Sequence, residues 1–232
     1  MKCLSGRLRW LVFAATGFAI LYACFVYDVR REPTAERQLR KAGIAVTLQE
    51  LKARYASEPR QDNGAFLYLQ AMGKIKNLKL PEFEQLPIAG NLKYEYGQVL
   101  THEQRDALHA YVTMNEATIA LILEAQNRPF SRFPESRYDS LEMKHLAHSR
   151  DFGRLLACAA LDAALSGDID SMDRMITAGL RLPEVFSEGG LLIDALVANA
   201  IRSIAISSVE NCLYFVTPPK ETLRTWLSIL GQ

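Results

Sequence analysis

Residues 142–167 read EMKHLAHSRDFGRLLACAALDAALSG. The stretch predicts one helix from about Glu142 to Ser166, stopped by Gly167. Its centre, Ala157-Cys158-Ala159-Ala160 with Ala163 and Ala164, is built of small side chains on several faces. Neighbouring helices can approach such a segment closely, so it should form the middle of a bundle. Downstream, Asp168 or Asp170 caps a helix carrying Met172, Met175, Ile176 and Leu180 and disturbed at Pro183. Leu191 to Ile206 is apolar almost all round. A second membrane span is disfavoured there, because Asp194, Asn199 and Arg202 would be costly at bilayer depth, so a core helix is expected. Thr217-Pro218-Pro219 begins a final helix with Leu223, Trp226, Leu227 and Leu230.

Upstream, the capping box Thr101-x-x-Gln104 opens a long amphipathic helix through Leu108, Tyr111, Val112, Ile119, Ile122 and Leu123, ending near Asn127. Arg128 to Leu141 is irregular. Leu78 to Leu100, with Pro81, Pro87, Gly90 and Gly97, reads as a long connection or lid packed by Phe83, Leu86, Tyr94 and Tyr96, and as the place for an internal boundary. Before it, Pro33 starts a stalk helix over Ala35 to Ala42 that Gly43 stops. Thr47-x-x-Glu50 caps a short helix, and Asp62-Asn63-Gly64 caps another through Phe66, Leu67, Leu69, Met72 and Ile75. No alternating strand pattern emerges. The fold class expected is all-α, with a membrane anchor at 1–31, a small helical unit at 32–77, a connection at 78–100 and the main antiparallel bundle at 101–232.

The anchor is read from the first 31 residues. Lys2, Arg7 and Arg9 precede eighteen residues without a charge, Trp10 to Tyr27, before Asp28 and Arg30-Arg31. At ~1.5 Å per residue this run reaches about 27 Å, enough for a thin hydrocarbon core, with Trp10, Tyr22 and Tyr27 at interfacial positions. An uncleaved single-pass helix in a bacterial inner membrane is expected to contact lipid through residues 10–27. Leu21-Tyr22-Ala23-Cys24 offers a lipidation alternative, opposed by the apolar residues that follow Cys24. The basic head favours an outward, periplasmic body, although Arg30, Arg31, Arg37, Arg40 and Lys41 pull the other way.

Composition narrows the function. The 232 residues are 49% hydrophobic and 23% charged, with 27 Lys plus Arg against 26 Asp plus Glu. A net charge of +1 supplies no field for nucleic acid, and none is expected as a partner. Cys3, Cys24, Cys158 and Cys212 lack metal or dithiol spacing. A Cys158–Cys212 bridge would close a 55-residue loop worth up to ~4 kcal/mol, but buried thiols are the favoured reading. Glu142-x-x-His145, and Asp106-x-x-His109 on the earlier helix, have the spacing of carboxylate-bridged metal ligands. The further carboxylates such a centre needs are not legible, so no metal and no cofactor is expected.

Arg128, Arg132, Arg137, Lys144, Arg150 and Arg154 gather near Phe130, Phe133 and Tyr138. One reading is an anion pocket, with Arg132 and Arg137 clamping from the loop above His145, His148 and Arg150. The plainer reading is a loop tied down by Arg–carboxylate pairs and aromatic anchors.

Ala163-x-x-x-Gly167-Asp168 resembles the turn of a tetratricopeptide hairpin, in degenerate form and without a second copy. More broadly, Leu48-Gln49-Glu50-Leu51 with Tyr55 and Asn63-Gly64-Ala65-Phe66-Leu67-Tyr68-Leu69-Gln70-Ala71 resemble a bacterial family. Asn115-Glu116 with Ala125, Arg132-Phe133-Pro134, His145-Leu146-Ala147 to Arg150, and Leu192-Ile193 through Leu196-Val197 to Ala200-Ile201 extend the likeness. Members of that family have one N-terminal anchor and an all-helical body without an assigned activity. The resemblance implies fold and anchoring and transfers no catalytic residue; Gly64 departs from it where Ala is expected.

The function expected is a membrane-anchored interaction module, an accessory or structural subunit of a membrane protein complex, rather than an enzyme. Phe130, Phe133, Tyr138, Trp226 and Leu230 are its candidate docking residues. The alternative is an extracytoplasmic ligand-binding protein or enzyme whose pocket is lined by Arg132, Arg137, His145, His148 and Arg150.

Overall fold

The computed structural model describes residues 34–42, 46–47, 49–50, 60–79, 81–90, 97–131, 133, 144–187 and 192–231. The helices among them are α1 (Thr34–Lys41), α2 (Ala65–Met72), α3 (His102–Met114), α4 (Glu116–Gln126), α5 (Lys144–Ser166), α6 (Ile169–Ser187), α7 (Leu192–Phe215) and α8 (Lys220–Leu230). The described residues form no β-strand, and Asn63 and Phe130 make an isolated parallel bridge. The all-α expectation therefore holds. Among the described residues no helix is long and apolar enough to cross a membrane. The expected span at residues 10–27 lies outside them, and so does Cys24.

The chain divides into two compact units, Met1–Ser57 and Glu58–Gln232. In the first, Glu50 closes the expected capping box. The Glu50 amide donates to Thr47 Oγ1 at 3.2 Å, and Val46 N–H donates to the Glu50 carboxylate at 2.9 Å. Arg40 Nε adds an ion pair at 2.7 Å. The Val46 amide, with Arg40 beside it, holds the Glu50 carboxyl below its ordinary range.

The second unit is organised by α5, α6 and α7, which pack on one another. The alanines explain how closely they meet: Ala157, Ala159, Ala160, Ala163 and Ala164 are all buried. A Cβ on Gly153 of α5 would sit 3.4 Å from Ile201 of α7, and one on Gly179 of α6 3.7 Å from Ala205 of α7. Between α5 and α6 the chain reverses at Gly167, whose φ of +76° suits glycine. Gly167 N–H donates to Ala164 C=O and Asp168 N–H to Ala163 C=O, the paired bonds of a Schellman closure. Asp168 then caps α6 by accepting from Ser171 N–H at 3.0 Å. The Ser171 hydroxyl and amide lower the Asp168 carboxyl pKa, so this contribution is present above its ordinary 3.8 and fades as acid protonates it. This turn does not make a tetratricopeptide: α5 and α6 have 23 and 19 residues, more than a repeat of ~34 can hold.

Three boundaries differ from the sequence expectation. The unit division falls at 57/58, not within 78–100. Leu86 and Leu100 are buried in one core cluster with residues of α2, α3, α5 and α6, so 78–100 is stitched into the bundle. Pro87 C=O accepts from Ala89 N–H at 2.7 Å and from the buried Cys158 thiol at 3.4 Å. The tight turn holds Ile88 at φ +70°, a strained value for a β-branched residue.

Second, the helix expected to run unbroken from Thr101 to Asn127 breaks at Asn115. Its buried side chain accepts from Lys76 N–H at 2.8 Å and donates to Lys76 C=O at 2.8 Å and Tyr111 C=O at 3.0 Å. One amide thus serves as a strand partner for Lys76, and three good bonds outweigh helix continuity. Asn115→Ala is expected to cost ~1–2 kcal/mol rather than more, because exposed Lys76 can recruit water. Chemical denaturation would register this as a lower midpoint with an unchanged slope.

Third, α7 continues to Phe215. Asp194, Ala198, Ile201, Ala205, Ser208 and Cys212, spaced by three or four residues, form one buried stripe, so polar Ser208 lies inside with the rest. Pro183, expected to disturb α6, lies within a helix that runs on to Ser187. Proline offers no N–H to Gly179 C=O one turn before it, and the neighbouring Ala178 C=O accepts from the Gln126 side chain at 2.7 Å.

Candidate functional site

The expected anion pocket is assembled only in part among the described side chains. Arg132, Arg137 and Tyr138 lie outside the described residues, as does the side chain of His145 on α5. His148 faces Asp151 on its own helix at 3.6 Å, and Arg154 reaches the same carboxylate at 3.4 Å. Arg150 is exposed. Arg154 is thus tied along α5 and Arg128 to Glu124 of α4, the arrangement of solvated helix faces.

Of the aromatic anchors, Phe133 turns to the inside and Phe130 is half-buried. Phe133 is buried, stacked on Phe186 of α6 at 5.3 Å and 6.4 Å from Tyr68 of α2. Tyr68 also meets Phe152 of α5 at 6.0 Å. Phe130 C=O accepts from Gly64 N–H at 2.9 Å, and Arg128 Nη1 donates to Gln61 C=O at 3.1 Å. A Cβ on Gly64 would lie 2.5 Å from Ala125 O and 2.6 Å from Ser131 Oγ, which explains glycine where the resemblance expects alanine. Phe133 and Trp226, expected on a docking surface, are core residues instead, because each ring fills a helix junction. Trp226 is 2% exposed and donates its indole N–H to Asp173 of α6 at 2.7 Å. Leu230 is where a docking residue must be, 42% exposed, and Leu227 beside it is 67% exposed.

Cys158 and Cys212 are free, buried thiols, the first with the core of α2 to α6 and the second beneath α8. Burial pushes each thiol up to about 12, so both are protonated and inert at neutral pH.

Two open clefts were not legible in the sequence. One, of about 410 Å³, lies between α3 and the end of α5. His102, Arg105, Asp106 and His109 of α3 line it at helical spacing opposite Asp162 and Ser166 of α5. His109 does not join Asp106 as a ligand pair: its Nδ1 lies 3.1 Å from Asp162 Oδ2, while His102 takes Asp106 at 3.6 Å. Asp162 orients the imidazole and leaves Nε2 to the cleft, a geometry able to accept a proton. His109 is nevertheless 73% exposed on its side chain, so water is not excluded. Among the described residues no three His, Cys, Asp or Glu converge as metal ligands.

The second cleft, about 460 Å³, is framed by α4, α6 and α8. Arg174, Thr177 and Arg181 of α6 share one of its walls, with Gln126 and Asn127 at the end of α4 and Thr225 from α8. The sequence signal was the spacing 174, 177, 181, which places these side chains on one helix face, but nothing in the sequence says which helices stand opposite.

No family model, curated protein or solved structure matches the chain. The residues themselves carry the functional reading.

Proposed function

We propose that the chain is a membrane-anchored helical interaction module, an accessory subunit that docks a protein partner through its C-terminal helix. The observation that carries this reading is the two-faced character of α8. Trp226 fastens the helix through a buried ring and an indole hydrogen bond, while Leu227 and Leu230 stand toward solvent. An apolar pair one turn apart on a fastened helix is a ready element of a helix-in-groove contact. On α7, Ile206 and Leu213 are likewise exposed and share a face seven residues apart.

Anchoring rests on the uncharged run Trp10 to Tyr27 behind its basic head. The body is assigned to the periplasmic side, where a downstream domain of this size can be translocated. A photo-crosslinking residue at position 227 or 230 should join the chain to one discrete membrane protein, and the same residue at exposed Lys220 should not. A C-terminal alkaline phosphatase fusion should be active. Crosslinks equally strong at all three positions, or an inactive fusion on a membrane-bound chain, would reject docking and orientation respectively.

A further inference from the structure

The cleft between α4, α6 and α8 borders the helix just assigned to docking and carries the less neutralised charge of the two clefts. Arg174 and Arg181 are two turns apart on α6, roughly 10 Å along the axis. Arg181 makes no hydrogen bond or ion pair among the described residues, and Arg174 spends one Nη2 donor on the Ser171 hydroxyl at 3.0 Å. The acid in the same cleft, Asp173, is already engaged: Trp226 Nε1 donates to it at 2.7 Å and Thr177 Oγ1 at 3.2 Å. The wall therefore shows two guanidinium groups against one occupied carboxylate, and the other acid near Arg174, Asp168, is itself taken up in capping α6 through Ser171. The cleft between α3 and α5 has one arginine facing Asp106 and Asp162, which disfavours an anion there.

We infer that the α4–α6–α8 cleft receives an acidic segment of the docking partner, with carboxylates two helical turns apart bridging Arg174 and Arg181. Guanidinium forks match carboxylates in a bidentate manner that lysine cannot. The inference rests on the interaction-module reading and specifies the chemistry of the partner.

The test uses full-length protein in mild detergent and a fluorescent octa-glutamate peptide, with octa-glutamine and succinate as comparison probes. Octa-glutamate should bind saturably, about tenfold or more weakly in the Arg174→Gln/Arg181→Gln double variant, and more weakly as salt rises. Exposed Arg202 of α7, which lines neither cleft, provides the control: Arg202→Gln should leave binding unchanged. Equal loss in the control variant would mean diffuse surface charge, and equal competition by succinate would mean a small dicarboxylate site. Either result, or no binding at low salt, overturns the inference. If the double variant keeps its crosslink from position 227, the acidic-segment inference fails while the docking reading stands. If position 227 gives no discrete crosslink even in the unaltered protein, the docking reading itself has failed.

Discussion

Phe186→Ala is expected to destabilise the second unit by ~3–5 kcal/mol, against the 5–15 kcal/mol that folded domains typically hold. Phe186 is fully buried and joins three segments far apart in sequence: its ring stacks on Phe133, lies 5.9 Å from Tyr68, and sits in the core that α5 shares. The surrounding rings come from different segments, so no single side-chain movement can refill the space. For a unit of this size each kcal/mol moves the melting temperature by about 2–4 °C, so a loss of about 6–20 °C should appear in a thermal scan. A loss below about 2 °C would mean that Phe133 does not anchor its loop on α6.

Gly64→Ala is expected to cost ~1–3 kcal/mol, and its sign tests the packing of α2 on α4. Gly64 has φ −62° and ψ −21°, ordinary helical values, so alanine would meet no backbone penalty. The smaller freedom of alanine in the unfolded chain alone would make the change stabilising by ~0.4–1 kcal/mol. Opposing it, the new methyl would overlap Ala125 O, which already accepts from Arg128 N–H, and would also crowd Ser131 Oγ. A backbone carbonyl cannot step aside as a side chain can, so the clash outweighs that gain. Should the variant melt higher than the unaltered protein, the Asn63–Phe130 bridge is not as close as described.

Much of the bundle was legible because its signals are local. The capping boxes at Thr101 and Thr47, the Gly167 stop and the alanine-rich centre of α5 each depend on residues within one or two turns, and each holds. What was not legible depends on partners distant in sequence. Asn115 breaks a helix because Lys76, 39 residues earlier, needs both of its amide groups. The expected core helix reaches only to Ile206, yet polar Ser208 and Asn211 beyond it are buried on α7. Leu78 to Leu100 reads as a connection packed by Leu86, but its punctuation by proline and glycine does not say that Leu86 enters a core shared with α2, α3 and α5.

The same division governs the candidate site. Trp226 and Phe133 were read as surface residues since large aromatics in a terminal helix and an irregular loop suit docking; helix packing placed both inside. Leu230 stayed outside with Leu227, which the sequence reading had counted only among the apolar positions of that helix. His109 found Asp162, 53 residues away, a pairing no spacing rule along one helix could supply.

The most direct measurement is native mass spectrometry of the full-length protein taken from its own membranes in mild detergent. The account predicts an uncleaved, unacylated chain in a stoichiometric complex with a second membrane protein, and loss of that complex in the Leu227→Glu/Leu230→Glu double variant. A chain recovered alone from the membrane, or a complex that survives both glutamates, would contradict it.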